Sequence, residues 1–285
     1  MKTRVISGVI AGLFGIAAII LTFSPYLDVL CFGVSLVSVY ELMKVFGVKN
    51  KVMYALSLTF SALTIVNAGY GEKIGISFPI GAVVTVYVLA MLILMLADYE
   101  HITFEQAGLS MVASFLLPYA LACFLKIRNL TDEFSAISRG HCRFLVWFCL
   151  ASAVFTDTFA YFTGVKLGKH KLCPKISPKK TVEGAVGGIV GALIINIVAL
   201  AICNAWVFHR PIPIPLWVMA IFSVVLSVIS MFGDLSASTI KRNFGIKDFG
   251  NIIPGHGGIM DRMDSISFVT PVVYFTTVLL VKAFS

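Results

Sequence analysis

Hydrophobic positions along this chain fall in long blocks separated by short polar stretches. About 18 consecutive apolar residues suffice for a helix to cross a bilayer. Nine blocks reach or approach that length: Val5–Ser24, Tyr26–Met43, Val52–Tyr70, Ile76–Ala97, Ala107–Leu125, Phe144–Leu167, Val182–Phe208, Leu216–Gly233 and Ile266–Phe284. The hydrocarbon core cannot satisfy backbone N–H and C=O groups, so each block predicts a helix with internal hydrogen bonds. The third and fifth contain several Ser, Thr or Asn residues and are the weakest of the nine. The fold class expected is all-α: one polytopic membrane domain over 1–285, with no soluble domain.

Composition agrees with the pattern. Of 285 residues, 59% are hydrophobic and 13% charged, against about 25% charged in a soluble domain. Lys2 and Arg4 precede the first block, as in a signal peptide. The block runs beyond the usual signal core and no clear Ala-x-Ala site follows, which favours a retained span. The six cysteines form no Cys-x-x-Cys or Cys/His metal spacing and read as small hydrophobes. The stretch Pro211–Pro215 reads as a short stiff connector.

The net charge of +8 would point to nucleic acid on a soluble protein. Here its distribution speaks for topology, and no nucleic-acid partner is expected. With nine spans, the side shared by the N-terminus and the odd loops holds 15 of the 22 Lys and Arg residues, the other side 7. Cytoplasmic loops carry that excess. The expected topology is therefore N-terminus in the cytoplasm and C-terminus outside. Lys126 and Arg128 are counted here among the outer charges.

The segment from Gly233 to Ser265 is too rich in charge and glycine to be a simple connector. Asp234 follows the eighth block, and Asp261 and Asp264 stand three apart before the ninth, on one face if that segment is helical. Carboxylates around an open position suit Mg²⁺, which takes one or two of them plus substrate phosphates and waters. The competing reading is solvated acids, or partners for Arg262 and Lys241. Lys241, Arg242 and Lys247 supply positive charge, although a basic surface facing anionic lipid would look similar. In Pro254-Gly255-His256-Gly257-Gly258 the glycines permit a close backbone approach, and successive N–H groups could cradle an anion. Carboxylates, cations and a glycine-rich turn are the equipment of phosphoryl or nucleotidyl transfer.

The run Ser238-x-Ile240-Lys241-Arg242-x₄-Lys247-Asp248-x-Gly250-x₂-Ile253-Pro254-x-His256-Gly257-Gly258-Ile259-x-Asp261-Arg262-x-Asp264 resembles the signature of the phosphatidate cytidylyltransferases, or CDP-diacylglycerol synthases. It covers about a tenth of the chain, without gaps. A second stretch is similar to the same family: Asp157-x-x-Ala160-Tyr161 in the sixth block, then Ser177-Pro178-x-Lys180-Thr181-x-Glu183-Gly184 opening the seventh. No departure puts a catalytic position in doubt. An ionisable residue inside a span is a functional candidate by default. Asp157 stands out as such, with Lys169 or an interhelical hydrogen bond as alternative partners. Thr181 is placed to cap a helix whose start could bind an anion beside Lys179 and Lys180. Gly184, Gly187, Gly188, Gly191 and Ala192 form a small-residue stripe suited to close helix packing.

The resemblance implies that CTP and phosphatidic acid give CDP-diacylglycerol and pyrophosphate at the cytoplasmic face of the cell membrane. The expected active-site loops are about 166–183 and 234–265. It implies metal ligation by Asp234, Asp261 and Asp264, for Mg²⁺ with room for a second cation. It assigns Lys241, Arg242, Lys247 and the His256, Gly257, Gly258 turn to CTP phosphates, with Asp248 and Arg262 nearby. It gives Ser177, Lys179, Lys180, Thr181, Glu183 and Asp157 to lipid or nucleotide, with that division open. A homodimer is left open. Two other classes compete: a CTP-dependent kinase of a polyprenol, phytol or dolichol, and a transporter using Asp157. Reaction at one centre requires both motifs to face a shared cavity. That cavity should have Lys179 or Lys180 on its wall and the three aspartates at its floor. It should also open sideways to the lipid.

Overall fold

A computed structural model describes residues 15–74, 78–252 and 257–284. Residues 15–20 are helical and the chain turns over 21–24; the rest of the first expected span lies outside the described residues. Eight long helices follow: α1 (Pro25–Val45), α2 (Lys51–Ile74), α3 (Ile80–Ala97), α4 (Phe104–Glu133), α5 (Arg139–Leu167), α6 (Val182–Ile202), α7 (Leu216–Asn243) and α8 (Met260–Phe284). All eight are long and apolar enough to cross a membrane. The protein is a polytopic α-helical membrane protein, as the hydrophobic blocks predict.

Several helices outrun their blocks. At 1.5 Å per residue a helix of 28 residues is about 42 Å long, against a hydrocarbon core of about 30 Å. Helix α7 has that length and ends at Asn243, ten residues past the end of its apolar block. Its last turns therefore carry Asp234, Lys241 and Arg242 on continuous helix. Likewise α8 starts at Met260, so Asp261 and Asp264 are already helical. Once one turn is formed, each further residue adds a hydrogen bond whether or not it is apolar.

Between α5 and α6 the chain forms an unexpected antiparallel hairpin, β1 (Lys171–Cys173) and β2 (Ser177–Thr181). Thr181 ends the hairpin and caps α6, its hydroxyl accepting from Gly184 N at 3.1 Å. Helices α5 and α6 lie close because a Cβ at Gly184, Gly188 or Gly191 would strike Ala160 O, Thr156 O or the Phe159 ring. The stripe is a packing surface. Asn196 of α6 donates to Ser152 of α5 and Ser223 of α7, at 3.0 and 2.7 Å. In an apolar medium such interhelical bonds act as polar glue.

The structure corrects the view of Asp157 as the one strong intramembrane acid. Asp28 and Glu41 on α1 are both buried, each 3% exposed. It also removes Arg128 from the outer loops, because the residue lies within α4 and is 5% exposed. Its guanidinium donates to both Asp28 oxygens, at 2.9 and 2.6 Å, and to Gly69 O at 3.0 Å. Three helices are thus tied by one planar fork, which matches carboxylate geometry. A side chain at Gly69 would collide with the Asp28 carboxylate.

Candidate active site

The C-terminal ends of α5 and α7, the start of α6 and the hairpin surround a cavity of about 510 Å³. Its charged and hydroxyl lining comes from Asp157, Tyr161, Lys171, Ser177, Lys179, Lys180, Thr181 and Asp234. Ala160, Val165, Leu172, Ala185 and Met231 supply apolar wall. Tyr161 and Val165 also lie on the exposed apolar surface of the bundle, so cavity and lipid-facing surface share side chains.

Two contacts join the separated motifs. The Lys180 ammonium pairs with the Asp234 carboxylate across the cavity. Arg242 donates from Nε to Ile176 O at 3.4 Å, reaching the hairpin turn from the end of α7. Asp157 lies within the field of Asp234, Lys180 and Asp264, and Asp264 within that of Asp234 and Lys241. Lys180, unlike Lys169, lines the same cavity as Asp157. The two helices α7 and α8 can approach here because Gly233 has no side chain; a Cβ would meet Asp264 O and the Phe268 ring.

Asp261 behaves differently from Asp234 and Asp264. Its Oδ1 accepts from Lys241 Nζ at 2.7 Å, and its Oδ2 from Phe249 N and Gly258 N at 2.7 and 3.0 Å. Lys241 also lies over the Phe249 ring, 5.2 Å from its centroid. The partner reading raised for this acid is the one the geometry favours, and Lys241 is correspondingly engaged within the protein. Past the expected glycine cradle, of which residues 253–256 lie outside the described residues, the backbone donors have protein partners. Gly258 N donates to Asp261, while Ile259 N and Met260 N donate to Glu41 at 3.2 and 3.0 Å. Gly257 does take the left-handed conformation, with φ +83°, which favours glycine. Its lack of a side chain makes room for Asp248 and Asp261. His256 lies outside the described residues.

Glu183 is engaged within the protein. Its carboxylate accepts from Lys169 N and His170 N, at 3.0 and 3.2 Å, and pairs with the His170 ring at 2.6 Å. It braces the hairpin against the start of α6 and does not line the cavity. Lys247, Asp248 and Arg262 are exposed around the rim of the α7–α8 connection.

Among the described residues no group of three His, Cys, Asp or Glu side chains could hold a metal ion by itself. The Lys180 ammonium beside Asp234 marks a position where positive charge is accommodated. Sequence reasoning missed Glu41. The available signal was an acid inside the second hydrophobic block, which deserves the same suspicion as Asp157.

Known proteins place the cavity in a chemical context. Residues 2–280 match the cytidylyltransferase family, and the chain belongs to that family; it is a nucleotidyltransferase. The phosphatidate cytidylyltransferase of Bacillus subtilis (strain 168) is 33% identical over 278 residues, 96% of this chain and 97% of the relative. Phosphatidate cytidylyltransferases of Staphylococcus saprophyticus and Staphylococcus haemolyticus are 50% and 47% identical over 116 residues. Those alignments cover 41% of this chain and 42% of each relative.

Proposed function

We propose that the protein transfers the cytidylyl group of CTP to phosphatidic acid, leaving CDP-diacylglycerol in the bilayer and releasing pyrophosphate. The observation that carries this reading is the meeting of Lys180 and Asp234 in one cavity whose apolar wall continues onto the lipid-facing surface. A polar floor suits two phosphate groups. An apolar mouth lets acyl chains stay buried while the headgroup enters, which avoids losing about 0.8 kcal/mol per CH₂.

A phosphate oxygen of the lipid attacks the α-phosphorus of CTP, and the bond from that phosphorus to the β-phosphate bridging oxygen breaks. A phosphate monoester has its second pKa near about 6 and is largely ionised at pH 7, so no strong general base is needed. The main barrier is the approach of two polyanions. Lys179 and Lys180 neutralise charge at the cavity wall, and Ser177 offers a hydroxyl to a phosphate oxygen. Arg242, Lys247 and Arg262 face the nucleotide from the rim. Asp234 and Asp264 are the residues to hold Mg²⁺, with Asp157 in their field; the bound ion would supply Lewis-acid neutralisation of nucleotide oxygens. Asp261 and Lys241 set the shape of the loop beside it. The catalytic segments 166–183 and 234–265 open to the cytoplasm, where CTP is found, within a single membrane domain.

The test is the fate of two labels with purified protein in detergent. CTP labelled at the α-phosphate should transfer label to lipid, with unlabelled lipid product when the label is at the γ-phosphate. Transfer of the γ label would instead establish a CTP-dependent lipid kinase.

A further inference from the structure

We infer that Glu41, on α1 and outside both sequence motifs, is a positioning residue that fixes the start of α8 and thereby the placement of Asp264. The helix start is an unsatisfied set of donors, since the first N–H groups of an α-helix have no intrahelical acceptor. Glu41 accepts two of the donors at this junction, Ile259 N through Oε1 and Met260 N through Oε2. Both are bonds to a carboxylate at a helix N-terminus, where negative charge is favoured. The same carboxylate is pressed by backbone from both sides. A Cβ at Gly250 or at Gly258 would run into it.

Two carboxylates thus hold the α7–α8 connection. Asp261 takes Phe249 N and Gly258 N from within, and Glu41 takes Ile259 N and Met260 N from a helix more than 200 residues away. The buried position of Glu41 shuts these N–H groups off from phosphate, so they anchor the loop and do not bind nucleotide. Asp264 follows Met260 by one helical turn. Its direction toward Asp234 is therefore set by where the first turn of α8 is pinned. Two of the glycines in the signature are explained by this contact: their role is to admit the acid of α1.

The inference rests on the reading of Asp264 as a cation ligand, and its test has an arm independent of turnover. In Glu41→Gln one of the two N–H groups faces an amide NH₂ instead of an oxygen. Glu41→Asp keeps the charge with a shorter reach. Limited trypsin digestion in detergent reads the clamp directly. Cleavage after Lys247 should accelerate severalfold in Glu41→Gln, and cleavage after Lys175 in the hairpin should not change. Turnover should fall by about ten- to a hundredfold, the scale of a lost charge-assisted hydrogen bond. The Mg²⁺ concentration for half-maximal rate should rise, with the KM for phosphatidic acid unchanged, and Glu41→Asp should recover part of the loss. If Glu41→Gln fails to fold, the Glu41→Asp protein carries the same measurements. Unchanged cleavage at Lys247 in the folded variant overturns the clamp. Faster cleavage with an unchanged Mg²⁺ requirement overturns the positioning role. Absence of CTP turnover in wild type counts against the proposed reaction and leaves the digestion arm intact.

Discussion

The Lys180 ammonium of the hairpin meets the Asp234 carboxylate of α7, joining two segments that lie some fifty residues apart in sequence. The two side chains are each about one-quarter exposed, while the ammonium nitrogen itself is buried. The pair brings opposite charges to the place where a nucleotide phosphate and its counter-cation would exchange partners. Lys180→Met should reduce turnover by about a hundredfold or more, the scale of removing a preorganised charge from a phosphoryl-transfer site. Lys180→Arg should be partly active, because it keeps the charge with different geometry. Steady-state kinetics of the two variants check this, and a fully active Lys180→Met removes Lys180 from the mechanism.

The two aspartates at the start of α8 should separate by phenotype. Asp264→Asn keeps shape but loses a charge facing Asp234; it should abolish turnover while thermal unfolding in detergent stays near wild type. Asp261→Asn faces Phe249 N and Gly258 N with an amide and releases Lys241. Breaking a buried ion pair costs about 3–5 kcal/mol, so this variant should unfold at a clearly lower temperature. Equal unfolding temperatures for the two variants would contradict the division of roles.

The hydrophobic blocks predicted eight described helices, because lipid leaves a backbone few other choices. They underestimated α7 and α8, since a hydrogen-bonded helix continues into polar sequence once it has left the hydrocarbon. The hairpin was not legible: Ser177-Pro178-Lys179-Lys180-Thr181 has no apolar alternation, and its pairing with β1 is fixed by Glu183 and Thr181 at its base. The sequence grouped Asp234, Asp261 and Asp264 as one ligand set and could not distinguish Asp261, whose carboxylate is taken up by Lys241 and two backbone N–H groups. All three are acids at the ends of hydrophobic blocks, and the difference lies in which backbone N–H groups fold toward them. Glu41 escaped notice because its partners are backbone donors on the opposite part of the chain. No side chain in the sequence advertises them.

Close packing of α5 and α6 makes a steric prediction. Gly188→Ala would place a methyl against Thr156 O, which is backbone and cannot rotate away. Overpacking of this kind typically costs about 1–3 kcal/mol. Parting α5 from α6 also widens the wall between Asp157 and Thr181. Gly188→Ala should therefore lower both the unfolding temperature and the apparent affinity for phosphatidic acid. Gly108→Ala serves as the control, because nothing lies within 4 Å of its added Cβ. Similar effects from both substitutions would argue against the packing account.

The buried fork from Arg128 to Asp28 lies at the end of the bundle away from the cavity, and its role is to hold α1, α2 and α4 together. Arg128→Met leaves Asp28 buried without its partner. The expected loss is about 3–5 kcal/mol of stability, read as a lower unfolding temperature. The KM for CTP in the fraction that remains folded should be unchanged. A raised KM for CTP with normal stability would place the pair in the catalytic machinery.

Topology can be settled by chemistry at three exposed positions: Arg139, Lys175 and Asn251. Lys175 and Asn251 share the cavity end of the bundle, whereas Arg139 begins α5 at the other end. Of the 22 basic residues, 15 were assigned to the cavity side from sequence. Burial of Arg128 against Asp28 takes one charge from the opposing loops and strengthens that asymmetry. Since cytoplasmic segments carry the Lys and Arg excess, the cavity should open inward, toward CTP. Cysteine at each position on a cysteine-free background, treated with a membrane-impermeant thiol reagent, reads this directly. In intact cells position 139 should label and positions 175 and 251 should label only after lysis. Labelling of 175 or 251 from outside would reverse the bundle and separate the cavity from cytoplasmic CTP. Labelling of 139 and 251 from the same side would contradict the fold itself, because it would put both ends of the helices in one compartment.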